Sequence, residues 1–253
     1  CPDWPKCFDR WYPPLNVSQI PDYIDPSLFN INLAWIEYFN RLFGMITGIV
    51  IFSTFLLFIK IRKTHSLGFY LILTAVLLTG LEGWIGGQVV ATHLEPIVIT
   101  IHLLLALIII ASLIMSYCIV FKKNNNDNFR YNNIQTKIVK WILICTIIEI
   151  ILGTQIRESL ENLISLQMIG SFKYIHTFLG LGLLLLMGML WNKINEKEFP
   201  RPHIKNRIKI LLNIFIVQII FGELMVFGGL PIYARLIHMW LPSISLGIII
   251  YIL

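Results

Sequence analysis

Apolar residues run in seven blocks of about twenty, at 35–59, 67–90, 97–121, 138–154, 173–191, 208–228 and 231–253, and polar residues gather in the stretches between them. Each block is long enough to cross a hydrocarbon layer as a helix. The blocks are rich in Leu and Ile and lack the short alternating segments of a transmembrane barrel. The pattern therefore predicts an all-α polytopic membrane protein. Composition agrees, with 57% of the 253 residues hydrophobic and 13% charged. A mean hydropathy of +0.75 excludes a soluble globule and also a single anchor on a soluble body.

The formal net charge is +6, and 14 of the 20 basic residues lie in or beside alternate connections. These are Lys60, Arg62 and Lys63; Lys122, Lys123, Arg130, Lys137 and Lys140; and Lys193, Lys197, Arg201, Lys205, Arg207 and Lys209. The positive-inside rule places those three connections in the cytoplasm, the N-terminal segment outside and the C-terminus inside. Topology accounts for the basic excess, so lipid is the expected surroundings and no nucleic-acid partner is expected.

An internal repeat organises the chain. Glu37-Tyr-Phe-Asn40-Arg-Leu-Phe-Gly44 aligns without gaps on Lys173-Tyr-Ile-His176-Thr-Phe-Leu-Gly180, and Thr100-Ile-His102 aligns on Leu236-Ile-His238. The separations match: 62 residues from Asn40 to His102 and 62 from His176 to His238. Spans one to three thus recur as spans five to seven, and the span at 138–154 has no counterpart. The expected parent architecture is two pseudosymmetric four-helix bundles, with a first span preceding Cys1. Within the chain this predicts an external cysteine-containing segment over 1–34, an N-terminal half-bundle over 35–121, a cytoplasmic linker over 122–137 and a C-terminal four-helix bundle over 138–253.

The repeated positions lie near the external ends of their spans, at one depth of roughly 6–12 Å. Imidazoles inside lipid are costly and mark function. Two at equal depth on two helices of one bundle are suited to clamp a planar metal cofactor, and haem with two axial histidines fits best. His176 and His238 are the expected pair. Lys173 and Arg235, each three residues earlier on the same helical face, either pair with the haem propionates or snorkel to the interface. In the first half His102 is the candidate ligand, Asn40 replaces the second histidine, and Glu37 and Ile99 stand where the cations would be. His65, His93 and His203 read as solvated loop residues. Glu82, Glu149 and Glu223 are further acids in the outer half that the sequence does not tie to a haem. Cys1 and Cys7 form a plausible disulfide on the oxidising side, as a loop staple or a redox pair; Cys118 and Cys145 read as packing residues.

The external CPDWPKC segment, Trp35-Ile-Glu37-Tyr-Phe-Asn40-Arg41-Leu, Gly83-Trp-Ile-Gly-Gly87 leading to His102, Ile151-Leu-Gly-Thr-Gln-Ile-Arg157-Glu158, Ile175-His176 and Gln218 through His238 together resemble the heme A synthase family over nearly the whole sequence. The resemblance implies an oxidoreductase of the bacterial cytoplasmic membrane that oxidises a ring methyl of haem O to the formyl group of haem A. It implies haem b between His176 and His238, and a substrate haem site with Glu37 as the catalytic acid and His102 as a ligand. Asn40 stands where the family has histidine, which predicts a weak or open sixth position on the substrate iron, with Asn40 as a hydrogen-bonding pocket residue. The family's second cysteine pair is absent from 155–172. The partners implied are haem O and haem A, a haem O synthase, oxidase assembly factors and an electron donor. Two other classes fit the ligands alone: a b-type cytochrome subunit that relays electrons, and a non-enzymatic haem carrier. Glu37 favours the enzyme, since an electron relay needs no acid there.

Overall fold

Seven helices long and apolar enough to cross a membrane are present among the described residues of the computed structural model, which are 1–92, 94–122, 133–161, 170–195, 202–227 and 232–253. They are α1 (Ile31–Phe58), α2 (Ser66–Ala91), α3 (Pro96–Tyr117), α4 (Asn133–Glu161), α5 (Ser171–Asn195), α6 (Pro202–Phe227) and α7 (Ile232–Ile252). The chain is an all-α integral membrane protein.

Several helices outrun the apolar blocks that announce them. α4 starts at Asn133 and α6 at Pro202, because a helix satisfies its own backbone as well among headgroups as in hydrocarbon, and only its side chains need to change. Pro202 suits a first helical position, where no N–H is required. One expectation is corrected. His203 lies exposed in the first turn of α6, not in a loop. His65 is the residue that precedes α2 at its N-terminus. Of the linker expected over 122–137, residues 133–137 belong to α4 and Lys122 closes a π-helical turn, Cys118–Lys122. Residues 123–132, and His93, lie outside the described residues. At the other end, α1 begins four residues before the block, capped by Asn30, whose side chain accepts from the Leu33 amide at 3.1 Å.

The chain divides into two compact units, Cys1–Val120 and Phe121–Leu253. In the first, α2 packs against both α1 and α3. Small residues bring α2 and α3 close: the Ser116 hydroxyl donates to the Gly68 carbonyl at 2.9 Å, and a methyl on Gly68 would stand 2.9 Å from a Val120 methyl. Ile51, Ala75 and Ile109 form one apolar contact layer and Phe58, Ile72 and Val120 another.

In the second unit α4, α5, α6 and α7 close a ring, each helix packed on the next and α7 back on α4. Its core is one-sided along the axis. Val139 and Ile142, Leu183 through Ile194, Ile204 through Phe215, and Ile249 and Ile252 fill the end that carries the basic residues. The opposite end of the same four helices is lined by Glu149, His176, Gln218 and His238. Apolar packing fixes the bundle at one end and leaves the polar residues gathered toward the other.

The external segment folds on itself before α1. Phe8 and Asp9 take left-handed backbone (φ 54° and 57°). This unfavourable turn is held by Asp3, whose two carboxyl oxygens accept from the Phe8 and Asp9 amides at 2.6 and 2.8 Å. Phe8 is buried with Ile20 and Ala34.

Candidate functional site

In the second unit, the rings of His176 on α5 and His238 on α7 meet in a T-shaped arrangement, with centroids 6.2 Å apart and planes at 71°. A metal bonded at about 2 Å to one nitrogen of each of two opposed imidazoles sets their centroids roughly 6 Å apart. The spacing is that of two imidazoles that could hold one metal between them. Among the described residues no cluster of three or more His, Cys, Asp or Glu side chains is arranged around a metal. The remaining ligands would have to come with the group itself, as they do in a metal macrocycle.

Each ring is fixed through its Nδ1. His176 Nδ1 lies 2.8 Å from Glu149 Oε2 on α4, at ion-pair distance, and both atoms are buried with no hydrogen bond of regular geometry among the described residues. His238 Nδ1 lies 3.0 Å from the main-chain carbonyl of Gln218 on α6. In both cases an oxygen acceptor lies beside Nδ1; with the ring proton on that nitrogen, Nε2 keeps its lone pair for a ligand.

Glycines make room for the rings. A Cβ at Gly153, one turn after Glu149, would stand 3.5 Å from His176 Cε1, and one at Gly222, one turn after Gln218, 3.3 Å from His238 Cε1. Gly180, one turn after His176, does the same for the anchor: a Cβ there would lie 3.0 Å from Glu149 Oε1. Further along α7, Pro242 has no N–H to return to the carbonyl of His238, so one helical hydrogen bond is missing a turn after the histidine while the helix continues.

The first unit holds half of the same arrangement. His102 Nδ1 on α3 is 3.2 Å from Glu82 Oε1 on α2, and a Cβ at Gly86, one turn after Glu82, would lie 3.4 Å from His102 Cε1. Glu82 Oε2 is buried without a hydrogen-bond partner among the described residues. Asn40 is exposed on α1, and a Cβ at Gly44, the repeat equivalent of Gly180, would meet nothing within 4 Å among the described residues.

Glu37 sits at the junction of α1 and the cysteine loop. One carboxyl oxygen accepts from Arg41, one turn on, and the other lies 2.7 Å from the main-chain nitrogen of Cys1. Arg41 also donates to the carbonyls of Asp3 at 3.1 Å and Lys6 at 2.8 Å. The sulfurs of Cys1 and Cys7 are at bonding distance. Beside this loop, Pro2, Trp4, Trp84 and Gly87 line a cavity of about 320 Å³.

The structure thus brings His176 and His238 together. Lys173 lies over the Tyr174 ring at 5.0 Å, and Arg235 and Glu223 are exposed. Sequence reasoning missed the anchoring roles of Glu82, Glu149 and Gln218, and the reach of Arg41. A signal for the first was present. Glu82, Gly86 and His102 recur as Gln218, Gly222 and His238 at the same offset of 136 that relates Asn40 to His176. Extending the repeat from ligands to their helical neighbours marks the anchors.

Comparison with known proteins agrees with this geometry. A family described as cytochrome oxidase assembly protein matches residues 1–250. Among curated relatives, the heme A synthase of Orientia tsutsugamushi (strain Boryong) is 31% identical over 170 residues, which cover 61% of this chain and 47% of that protein. That of Ehrlichia canis (strain Jake) is 27% identical over 249 residues, 87% of this chain and 70% of the relative, and that of a Wolbachia from Brugia malayi is 25% identical over 246 residues, 85% and 71%. The chain spans about half the length of the Orientia relative and about seven tenths of the other two. With the family match extending over nearly every residue, from the cysteine loop through both histidine-bearing units, the chain belongs to the cytochrome oxidase assembly protein family.

Proposed function

We propose that the chain acts in the conversion of haem O to haem A, oxidising a ring methyl to a formyl group, with haem b resident between His176 and His238 and haem O bound as substrate beside His102. The observation that carries this reading is the histidine pair, centroids 6.2 Å apart, with an oxygen of Glu149 or Gln218 beside each Nδ1. The curated relatives are named heme A synthase, and that supports the same activity here.

Bound haem b would supply one-electron redox chemistry. The chain's own residues bind and orient. His176 and His238 offer Nε2, while Lys173 and Arg235, one turn nearer the outer end, suit the carboxylate side groups of a haem. In the first unit His102 is the proposed ligand, and Asn40 occupies the position of the second histidine as a poor iron ligand, so the substrate iron keeps an accessible face. Glu37, one turn from Asn40 on α1, is the carboxyl assigned to proton transfer as the methyl group is oxidised. Cys1 and Cys7 are proposed as a disulfide on the external side of the bacterial cytoplasmic membrane, with the basic connections inside. A haem O synthase and oxidase assembly factors are the proposed partners.

Haem extraction tests this. Purified protein should yield haem b together with haem O or haem A by mass, and the His176→Ala, His238→Ala double variant should lose the low-spin spectrum. Haem b alone, unchanged after haem O and reductant are supplied, would make the protein an electron relay instead.

A further inference from the structure

The two proposed axial histidines are held by unlike groups. His176 Nδ1 meets the carboxyl of Glu149 at 2.8 Å, and His238 Nδ1 meets the main-chain carbonyl of Gln218 at 3.0 Å. We infer that Glu149 is a positioning residue that sets the donor strength of His176, and with it the reduction potential of the group the two histidines hold. The inference rests on the haem reading above, and its test separates the two.

Three observations carry it. First, Glu149 is built into place. Its side chain is 14% exposed, and its second oxygen occupies space that exists because residue 180 is glycine, where a Cβ would stand 3.0 Å from Oε1. Gly180 and His176 lie one turn apart on α5, so one face of that helix presents the ring and also leaves room for its anchor. Second, the arrangement is not a single coincidence of packing. His102 meets Glu82 at 3.2 Å, with a glycine one turn after the acid under the ring in both units. Third, the repeat shows what happens when the acid is replaced. Gln218 stands at the position of Glu82, its side-chain Oε1 is buried without a hydrogen-bond partner among the described residues, and its histidine turns to the main chain instead.

The chemistry follows from which atom carries the proton. For Nε2 of His176 to act as a ligand, Nδ1 must hold the ring proton, and Glu149 must accept it. An acceptor carrying negative charge draws the Nδ1 proton toward itself and makes Nε2 a stronger donor, as orienting carboxylates do for metal-bound histidines. A stronger donor favours the oxidised metal. A main-chain carbonyl has no net charge and does this less, so His176 is the tuned ligand and His238 the plain one.

The purified holoprotein is compared with Glu149→Gln, which keeps the shape and one acceptor but removes the charge, and with Glu223→Gln, an exposed acid on α6. Spectroelectrochemical titration is the readout, with low-temperature electron paramagnetic resonance of the oxidised form. Glu149→Gln should keep the low-spin spectrum, favour the reduced state about tenfold, equivalent to about 59 mV upward for one electron, and widen the spread of g values. Glu223→Gln should leave both unchanged. If Glu149→Gln titrates like the unaltered protein, the inference fails and the haem reading stands. If Glu149→Gln sheds the haem, the positioning role stands where helix content and unfolding midpoint are retained, and falls where the unit unfolds. If the unaltered protein has no low-spin haem that depends on His176 and His238, the reading beneath fails and takes the inference with it.

Discussion

Arg41 on α1 donates from its guanidinium to the main-chain carbonyl of Lys6, 2.8 Å away, and so ties the span that carries Glu37 to the middle of the Cys1–Cys7 loop. The same side chain reaches the carbonyl of Asp3 and the carboxyl of Glu37. One residue thereby fixes the loop relative to the proposed acid.

Arg41→Ala should free the loop without unfolding the unit. The bonds lost join a charged donor to partly buried acceptors, worth about 2 kcal/mol locally. Amide exchange over residues 2–10 should accelerate accordingly. Arg41→Lys should not restore protection, because a single ammonium cannot span several acceptors as the planar fork does. Exchange rates identical to those of the unaltered protein would show that the tether carries no weight.

The same contact sharpens the test of Glu37. Glu37→Ala is expected to keep haem b and accumulate haem O. Removing the carboxyl also deprives Arg41 of a partner, so a tether role could give the same result. Arg41→Ala separates them. If Glu37 transfers a proton, the Arg41 variant should retain a substantial part of its turnover; if Glu37 is a tether, both variants should fail alike.

The loop should also loosen at both pH extremes. Lys6, 2.6 Å away, and the Tyr23 hydroxyl, which donates at 2.7 Å, hold the exposed Asp9 carboxyl below its ordinary value of 3.8. Its contribution is present above that value and is lost as pH falls through the depressed one. The bond to Asp9 raises Tyr23 above its ordinary 10.0, so the phenol's contribution is complete below 10.0 and is lost as pH rises through the raised value. Fluorescence of Trp4 and Trp11 followed against pH should show both limbs, and Tyr23→Phe should abolish the alkaline one. An alkaline limb that survives in Tyr23→Phe would assign the transition to other groups.

How far the fold was legible follows from what each contact depends on. The seven spans are readable because burial in lipid demands an unbroken apolar run, which leaves a mark in every residue. Their ends are not, because helix continues into polar sequence at Asn133 and Pro202 without an apolar signal. His176 and His238 were legible through the repeat. Their anchors were harder: Glu149 meets His176 only when α4 packs on α5, and an isolated intramembrane acid looks the same wherever it points. Arg41 left no trace, since its partners at Asp3 and Lys6 are main-chain carbonyls that any residue would supply.

The last prediction concerns the glycines, where size decides between two opposing effects. Replacing a mid-helix glycine by alanine favours the helix by about 1 kcal/mol. At Gly153 nothing opposes this, since the new methyl would meet His176 Cε1 at 3.5 Å, an ordinary contact. At Gly222 the distance to His238 Cε1 is 3.3 Å, so the ring must yield by a few tenths of an ångström and the gain and the strain should roughly cancel. At Gly180 the methyl would stand 3.0 Å from Glu149 Oε1, so the carboxyl must yield by a few tenths of an ångström, at the expense of its contact with His176. Full loss of a contact with a charged group of this kind costs about 1.5–3 kcal/mol, so even a partial loss offsets the helical gain. Thermal unfolding should therefore rank Gly153→Ala at or above the unaltered protein, Gly222→Ala close to it and Gly180→Ala lowest. In the holoprotein, Gly180→Ala should shift the potential in the same direction as Glu149→Gln, while Gly153→Ala leaves it in place. A Gly180→Ala protein as stable as Gly153→Ala, with an unshifted potential, would mean that the carboxyl has room to move and that the close fit around Glu149 does not hold it.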